Sequence, residues 1–228
     1  MKLLLTSFGL ANATIVAALE RLMGKPIGEA SVMYVPTALH ATPGGAGYAW
    51  EMLGTARPAD WRSVGFLELT ALPGIAADRW LPQLEAADVI MVGGGNTPYL
   101  SYWLQRSGFA AMLPGLLRGA VYAGISAGSM VVGSNFWINR VRLARDGVYD
   151  DDLYGDVAPA GQGSDATPGL VDFALRPHLG SPDFPGATVE GIARIAEGPT
   201  YAIDDASAVV VDSDDVTVAS EGTWHYLP

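Results

Sequence analysis

Short apolar runs at residues 3–6, 32–35, 64–69, 89–92 and 121–123 alternate with longer amphipathic stretches, and this alternation restricts the fold more than any other feature of the chain. Aliphatic runs of this length, bounded by turn formers, read as strands buried on both faces. Apolar residues recurring every three to four positions at 14–23, 46–53, 77–86, 98–105 and 109–117 read as crossover helices. Together they predict a doubly wound α/β fold, with a mostly parallel sheet covered by helices on both sides. The last quarter changes character: residues 200–203, 208–211, 216–219 and 223–226 suggest short strands joined by Asp/Ser/Gly turns, an antiparallel C-terminal addition. One long region, 146–169, reads as irregular, with five aspartates between 146 and 156. Long loops in compact domains are often functional.

Composition narrows the function classes. With 228 residues and 50% hydrophobic content, the chain is expected to form a single domain over residues 1–228. Only 16% of residues are charged, which argues against disorder, and the net charge of -11 opposes binding to phosphate backbones or anionic lipids. Nucleic acid and membrane are therefore excluded as partners, and small molecules or peptides remain. The absence of cysteine removes disulfides, thiolate metal sites and a cysteine nucleophile. No apolar run approaches the roughly 18 residues of a membrane span. The apolar stretch after Lys2 is interrupted by Phe8-Gly9-Leu10-Ala11-Asn12, so it reads as strand, loop and helix rather than signal peptide, and a cytoplasmic location is expected.

The segment from Ala120 to Met130 places Gly124-Ile125-Ser126-Ala127-Gly128 directly after a buried strand. A sharp strand-to-helix turn needs small residues on both sides of the serine, and it exposes the hydroxyl above the sheet, which makes Ser126 a candidate nucleophile. The amide of Ala127 then lies at a helix N-terminus, where it can donate to a developing oxyanion. A second strand, 89–92, runs into Gly93-Gly94-Gly95-Asn96-Thr97. Ligands collect beyond the carboxyl ends of parallel strands, so Gly94, Gly95 and Asn96 are candidate oxyanion or substrate-binding residues bordering the same site. The spacing matches neither a dinucleotide fingerprint nor a Walker A loop. Of the three histidines, His178 ends an apparent strand and follows Pro177, making it the candidate base, whereas His40 and His225 read as ordinary surface or core residues.

Taken in order, the glycine turn, the Ser126 elbow and the Pro177-His178 segment resemble the S51 peptidases, which include aspartyl dipeptidase and cyanophycinase. The resemblance spans most of the chain. It implies a fold related to class I glutamine amidotransferases, and a serine peptidase acting through an acyl-enzyme on dipeptides or short peptides without metal or cofactor. It also implies Ser126 as nucleophile, His178 as base, and the amides of Gly95 and Ala127 as the oxyanion hole. Family members orient the histidine with a Glu; here the matching segment carries Asp205, with Asp204, Ser207 and the aspartates of residues 146–156 as competitors. Strict aspartyl dipeptidases carry an arginine where Val189 stands, so a specificity broader than Asp-X is expected unless Arg176 or Arg194 reaches the site. Trp137, Tyr149 and Tyr154 are read as packing residues rather than site residues. The alternatives are an esterase-type hydrolase sharing the elbow, disfavoured by the Ser, His, Asp order, and a catalytically silent ligand-binding relative.

Overall fold

The computed structural model describes residues 1–135, 141–143, 149–151, 156–159 and 161–228. Strands β1 (Lys2–Thr6), β2 (Ser31–Val35), β3 (Ser63–Phe66), β4 (Val89–Val92) and β5 (Val121–Ile125) form a parallel core in the order β1-β5-β4-β2-β3. Helices α1 (Ala13–Met23), α2 (Gly45–Gly54), α3 (Leu81–Glu85), α4 (Thr97–Arg106) and α5 (Phe109–Leu116) lie between the strands in sequence, and the short α6 (Ala127–Met130) follows β5.

Side chains alternate across the sheet with the strand period of two, so each face has its own core. Leu3, Leu5, Val35, Ile90, Val92 and Tyr122 pack on one side with Leu100 and Leu104 of α4 and Leu113 of α5. Leu4, Val32, Tyr34, Val89, Met91 and Ala123 pack on the other with Ile15, Ala18, Leu19 and Leu22 of α1. Helix α1 is delimited as its sequence dictates: the side chain of Asn12 caps its first turn, and Gly24 ends it in the left-handed conformation.

Two elements depart from the sequence expectation for local reasons. The run at 64–69 leaves the sheet after Phe66, and Leu69 and Leu72 reach the core from a 3-10 turn, Leu69–Gly74. The helix expected over 77–86 divides into a 3-10 turn, Ala77–Arg79, and α3, because Pro82 lacks an amide proton and is accommodated only in a first helical turn.

The C-terminal strands separate into two roles. Strands β6 (Val141–Leu143), β7 (Tyr149–Asp151) and β8 (Asp156–Val157) make a small antiparallel ladder, β7 and β8 falling within residues 146–169, read as irregular, and β6 just before them; strands this short carry little periodic signal. Strand β9 (Ala174–Arg176) pairs in parallel with β10 (Thr200–Ile203). Strands β11 (Ser207–Asp212) and β12 (Asp215–Ser220) form an antiparallel hairpin that extends the main sheet beyond β1, giving seven strands. Strand β13 (Trp224–Leu227) returns to pair antiparallel with β10, completing a separate three-stranded sheet, β13-β10-β9. Helix α7 (Val189–Ala193) precedes β10. The expected antiparallel addition is thus shared between two sheets, and the sharp turn between β10 and β11 carries Asp205 from one to the other. Among the described residues, no helix is long and apolar enough to cross a membrane.

Candidate active site

At the carboxyl end of β5 the chain makes the sharp turn that its glycines foretell. Ser126 sits at φ 49° and ψ −111°, a region that non-glycine residues rarely adopt, held there by the structure around it. A β-carbon on Gly124 would lie 2.7 Å from Ser129, and one on Gly128 would overlap the carbonyl oxygen of Val92. Only glycine fits at either position. Hydrogen bonds from β1 fix the turn: the Ser126 amide donates to the Thr6 carbonyl (3.0 Å), the Ser129 hydroxyl donates to the same oxygen (2.8 Å), and the Thr6 hydroxyl donates to the Gly124 carbonyl (2.8 Å). From within the core, the Tyr122 hydroxyl donates to the Gly128 carbonyl (2.6 Å); its complete burial pushes the phenol pKa far up, so it stays a donor at any physiological pH.

The second glycine turn follows β4 and comes alongside. A β-carbon on Gly94 would lie 3.2 Å from that of Ser126, so this backbone borders the serine directly. Gly95 adopts φ 132° and presses against the peptide of Ala38, which forbids a side chain there. Asn96 has a different place. It is fully buried, its amide donates to the Ala38 carbonyl (2.9 Å) and its side-chain oxygen accepts from the Tyr99 amide (2.9 Å), capping α4. Gly95 and Thr97 line the cavity described below, and Asn96 does not. Ala127 is buried at the first position of α6, where its amide points out of the helix start.

His178 follows β9 and Pro177, and it too has a left-handed backbone, φ 61°. Its Nε2 lies 2.8 Å from the Ser126 hydroxyl and its Nδ1 lies 2.7 Å from Oδ1 of Asp205. An ionised carboxylate can only accept, so Nδ1 carries the proton and Nε2 is left to accept from the serine. The ring stacks on Phe184, centroids 4.3 Å apart and 16° from parallel. The sequence left several acids open, and the geometry separates them. Asp204 turns away, accepting from the Ser207 hydroxyl (2.6 Å) and the Ala206 and Thr223 amides, so it and Ser207 tie the turn between β10, β11 and β13. Asp146, Asp152, Trp137 and Tyr154 lie outside the described residues, as do the side chains of Asp150, Asp151, Asp156 and Tyr149. His40 pairs with Glu68 (2.9 Å) on the surface, and His225 is exposed on β13.

The sequence reading missed Ser7. Fully buried at the end of β1, its hydroxyl donates to Oδ1 of Asp205 (2.6 Å) and accepts from the His178 amide (2.8 Å). It therefore clamps the acid and the backbone of the histidine together. No signal in the sequence marks it: a polar residue at the carboxyl end of β1 lies near Ser126 only because β1 pairs with β5 in the sheet. Burial alone would raise the Asp205 pKa, but the hydrogen bond from His178, that from Ser7 and the charge of His178 outweigh it, holding the carboxyl below its ordinary value.

These groups border a cavity of about 400 Å³ with walls that include Phe8, Leu39, Met52, Met130 and Phe184. Among the described residues no cluster of three or more histidine, aspartate or glutamate side chains is arranged to hold a metal.

Comparison with known proteins gives the chain a lineage. A protein of Listeria monocytogenes EGD-e of the peptidase E type shares 20% identity and a TM-score of 0.71, covering 97% of this chain and 98% of its own. A peptidase from an acI-B1 Actinobacterium gives 18% identity and a TM-score of 0.61, covering 98% and 89%. These show the fold. Peptidase E of Streptomyces coelicolor A3(2) is 32% identical over 147 residues, 63% of this chain and 50% of that protein, so the match spans about half the length of that relative. The model of peptidase family S51 matches residues 3–219, and the chain belongs to that family.

Proposed function

We propose that the protein is a serine peptidase that hydrolyses dipeptides or short peptides through an acyl-enzyme, with Ser126, His178 and Asp205 as its catalytic triad. The observation that carries this reading is the continuous hydrogen-bonded line from Ser126 Oγ through both ring nitrogens of His178 to Asp205, opening on a cavity large enough for a short peptide. His178 takes the serine proton as Oγ attacks the substrate carbonyl. Asp205 holds the tautomer that makes this possible and stabilises the imidazolium that forms. The oxyanion is received by the amides of Ala127, at the start of α6, and of Gly95, with Gly94 beside them. His178 then returns the proton to the leaving amine, and the same ring activates the water that releases the acid. No residue of this scheme requires a metal or cofactor.

Fluorophosphonate labelling with mass-spectrometric mapping, run beside a dipeptide panel, tests the reading. Ser126 is the expected site of labelling, and Ser126→Ala or His178→Ala lowers kcat/KM by on the order of 10⁴-fold or more. Absence of both labelling and turnover in the wild type would sink the hydrolase reading and leave a binding protein.

A further inference from the structure

The walls of the cavity carry a chemistry of their own, set by side chains outside the relay. Among the described residues, Phe8, Leu39, Met52, Ile125, Met130 and Phe184 supply apolar walls, and Asp183 is the one carboxylate that lines it; no arginine or lysine does. The two arginines nearest His178 in sequence are elsewhere: Arg176 is buried on β9 outside the lining, and Arg194 is exposed, its Nε donating to the Glu190 carbonyl (3.3 Å). Val189 begins α7, also outside the lining.

Asp183 is exposed and lines the cavity from a turn that is closed by its own backbone. Residues 178–187 form a compact turn in which the Ser181 amide donates to the His178 carbonyl (3.0 Å), the Phe184 amide to that of Ser181 (3.2 Å), the Ala187 amide to that of Phe184 (2.8 Å) and the Gly180 amide to that of Ala187 (2.8 Å). Phe184, the next residue, is stacked on the His178 ring. Asp183 therefore lies next in the chain to the residue that packs on the catalytic imidazole, and both line the cavity. A substrate with an acidic first residue would bring a second carboxylate into apolar surroundings beside the first, losing hydration and meeting like charge. An apolar side chain would gain by leaving water. An α-ammonium lies one carbon from the carbonyl under attack, and it is the charge that a carboxylate at this place complements.

We infer that the site selects peptides with a free amino terminus and an apolar first residue, Asp183 receiving the α-ammonium and excluding acidic first residues. This rests on the serine-peptidase reading above, and the experiment separates the two. Wild type and Asp183→Asn are assayed on Leu-Ala, Asp-Ala and Lys-Ala, each with a free or acetylated amino terminus, with unfolding midpoints and fluorophosphonate labelling recorded for both proteins. Leu-Ala is expected to exceed Asp-Ala in kcat/KM by about tenfold or more, and acetylation to cost the wild type a similar factor. In Asp183→Asn the penalty for acetylation should largely vanish. A wild type that labels at Ser126 yet prefers Asp-Ala, or that cleaves acetylated Lys-Ala best, overturns the selection while leaving a serine hydrolase. A folded Asp183→Asn that keeps the full acetylation penalty removes Asp183 from the role. If the variant does not fold, the wild-type panel decides: a preference for free Leu-Ala sustains the inference, and any other ranking ends it. No labelling and no turnover ends both readings together.

Discussion

The two ends of the Ser126–His178–Asp205 line are built in opposite ways. The serine end is local: Gly124, Ser126, Gly128 and Ser129 lie within six residues, the glycines are imposed by backbone contacts, and every support comes from the buried strands β1, β4 and β5. The acid end is assembled from three distant stretches, Ser7, His178 and Asp205, and the Asp205 side chain is 42% exposed. One end is fixed by what cannot fit, the other by a few hydrogen bonds. Damage at the serine end should therefore be all-or-none, and damage at the acid end graded.

Gly128→Ala tests the rigid end and has the largest expected effect. Its β-carbon would meet the Val92 carbonyl oxygen, a backbone atom in a central strand that cannot step aside, so the elbow itself must move. Fluorophosphonate labelling should be lost and the unfolding midpoint should fall. A variant with wild-type labelling rate would show that the serine end tolerates rearrangement, and the contrast between the two ends would fail.

Ser7→Ala tests the graded end. It removes a hydrogen bond to a carboxylate and an acceptor for a buried amide, but leaves the contact between His178 and Asp205 in place. Hydrogen bonds to charged groups are worth enough that kcat should fall about tenfold or more, with KM little changed because Ser7 acts through the orientation of His178. A merely structural role would lower the unfolding midpoint and leave kcat of the folded protein alone. A loss of kcat as complete as that of Gly128→Ala would remove the distinction between ends.

The same contrast decided what could be read from the sequence. The elbow was legible because its constraint is steric and contiguous: glycine at two fixed spacings around a serine, straight after an apolar run, is what a sharp strand-to-helix turn demands. His178 was legible by elimination among three histidines, helped by Pro177. Asp205 was narrowed to a turn, since Asp204, Asp205 and Ser207 are alike in type and differ only in which way each side chain points. Ser7 was not legible, because its role depends on β1 lying next to β5 and on β11 continuing the sheet beyond β1, both non-local pairings. The strands of the main sheet were read from their apolar runs, while the division of the C-terminal strands between two sheets depends on β9, a three-residue strand whose partner lies beyond helix α7.

The smallest expected effect concerns acid and stability. The folded-state pKa of Asp205 lies below its ordinary value, burial opposing and the His178 and Ser7 hydrogen bonds prevailing. The sign follows from linkage: a carboxyl that ionises more readily in the folded state contributes stability that is present above its unfolded pKa, about 3.9, and is lost as pH falls through the depressed folded value. With the side chain partly exposed, solvent screens much of that contribution. Urea unfolding of wild type and Asp205→Asn between pH 7 and pH 3 reads it directly. The wild type should be the more stable of the two near neutrality, and the gap should narrow only at the acid end of the series. A gap that stays constant with pH would mean that the acid end is held by packing rather than by charge, which would make it as rigid as the elbow.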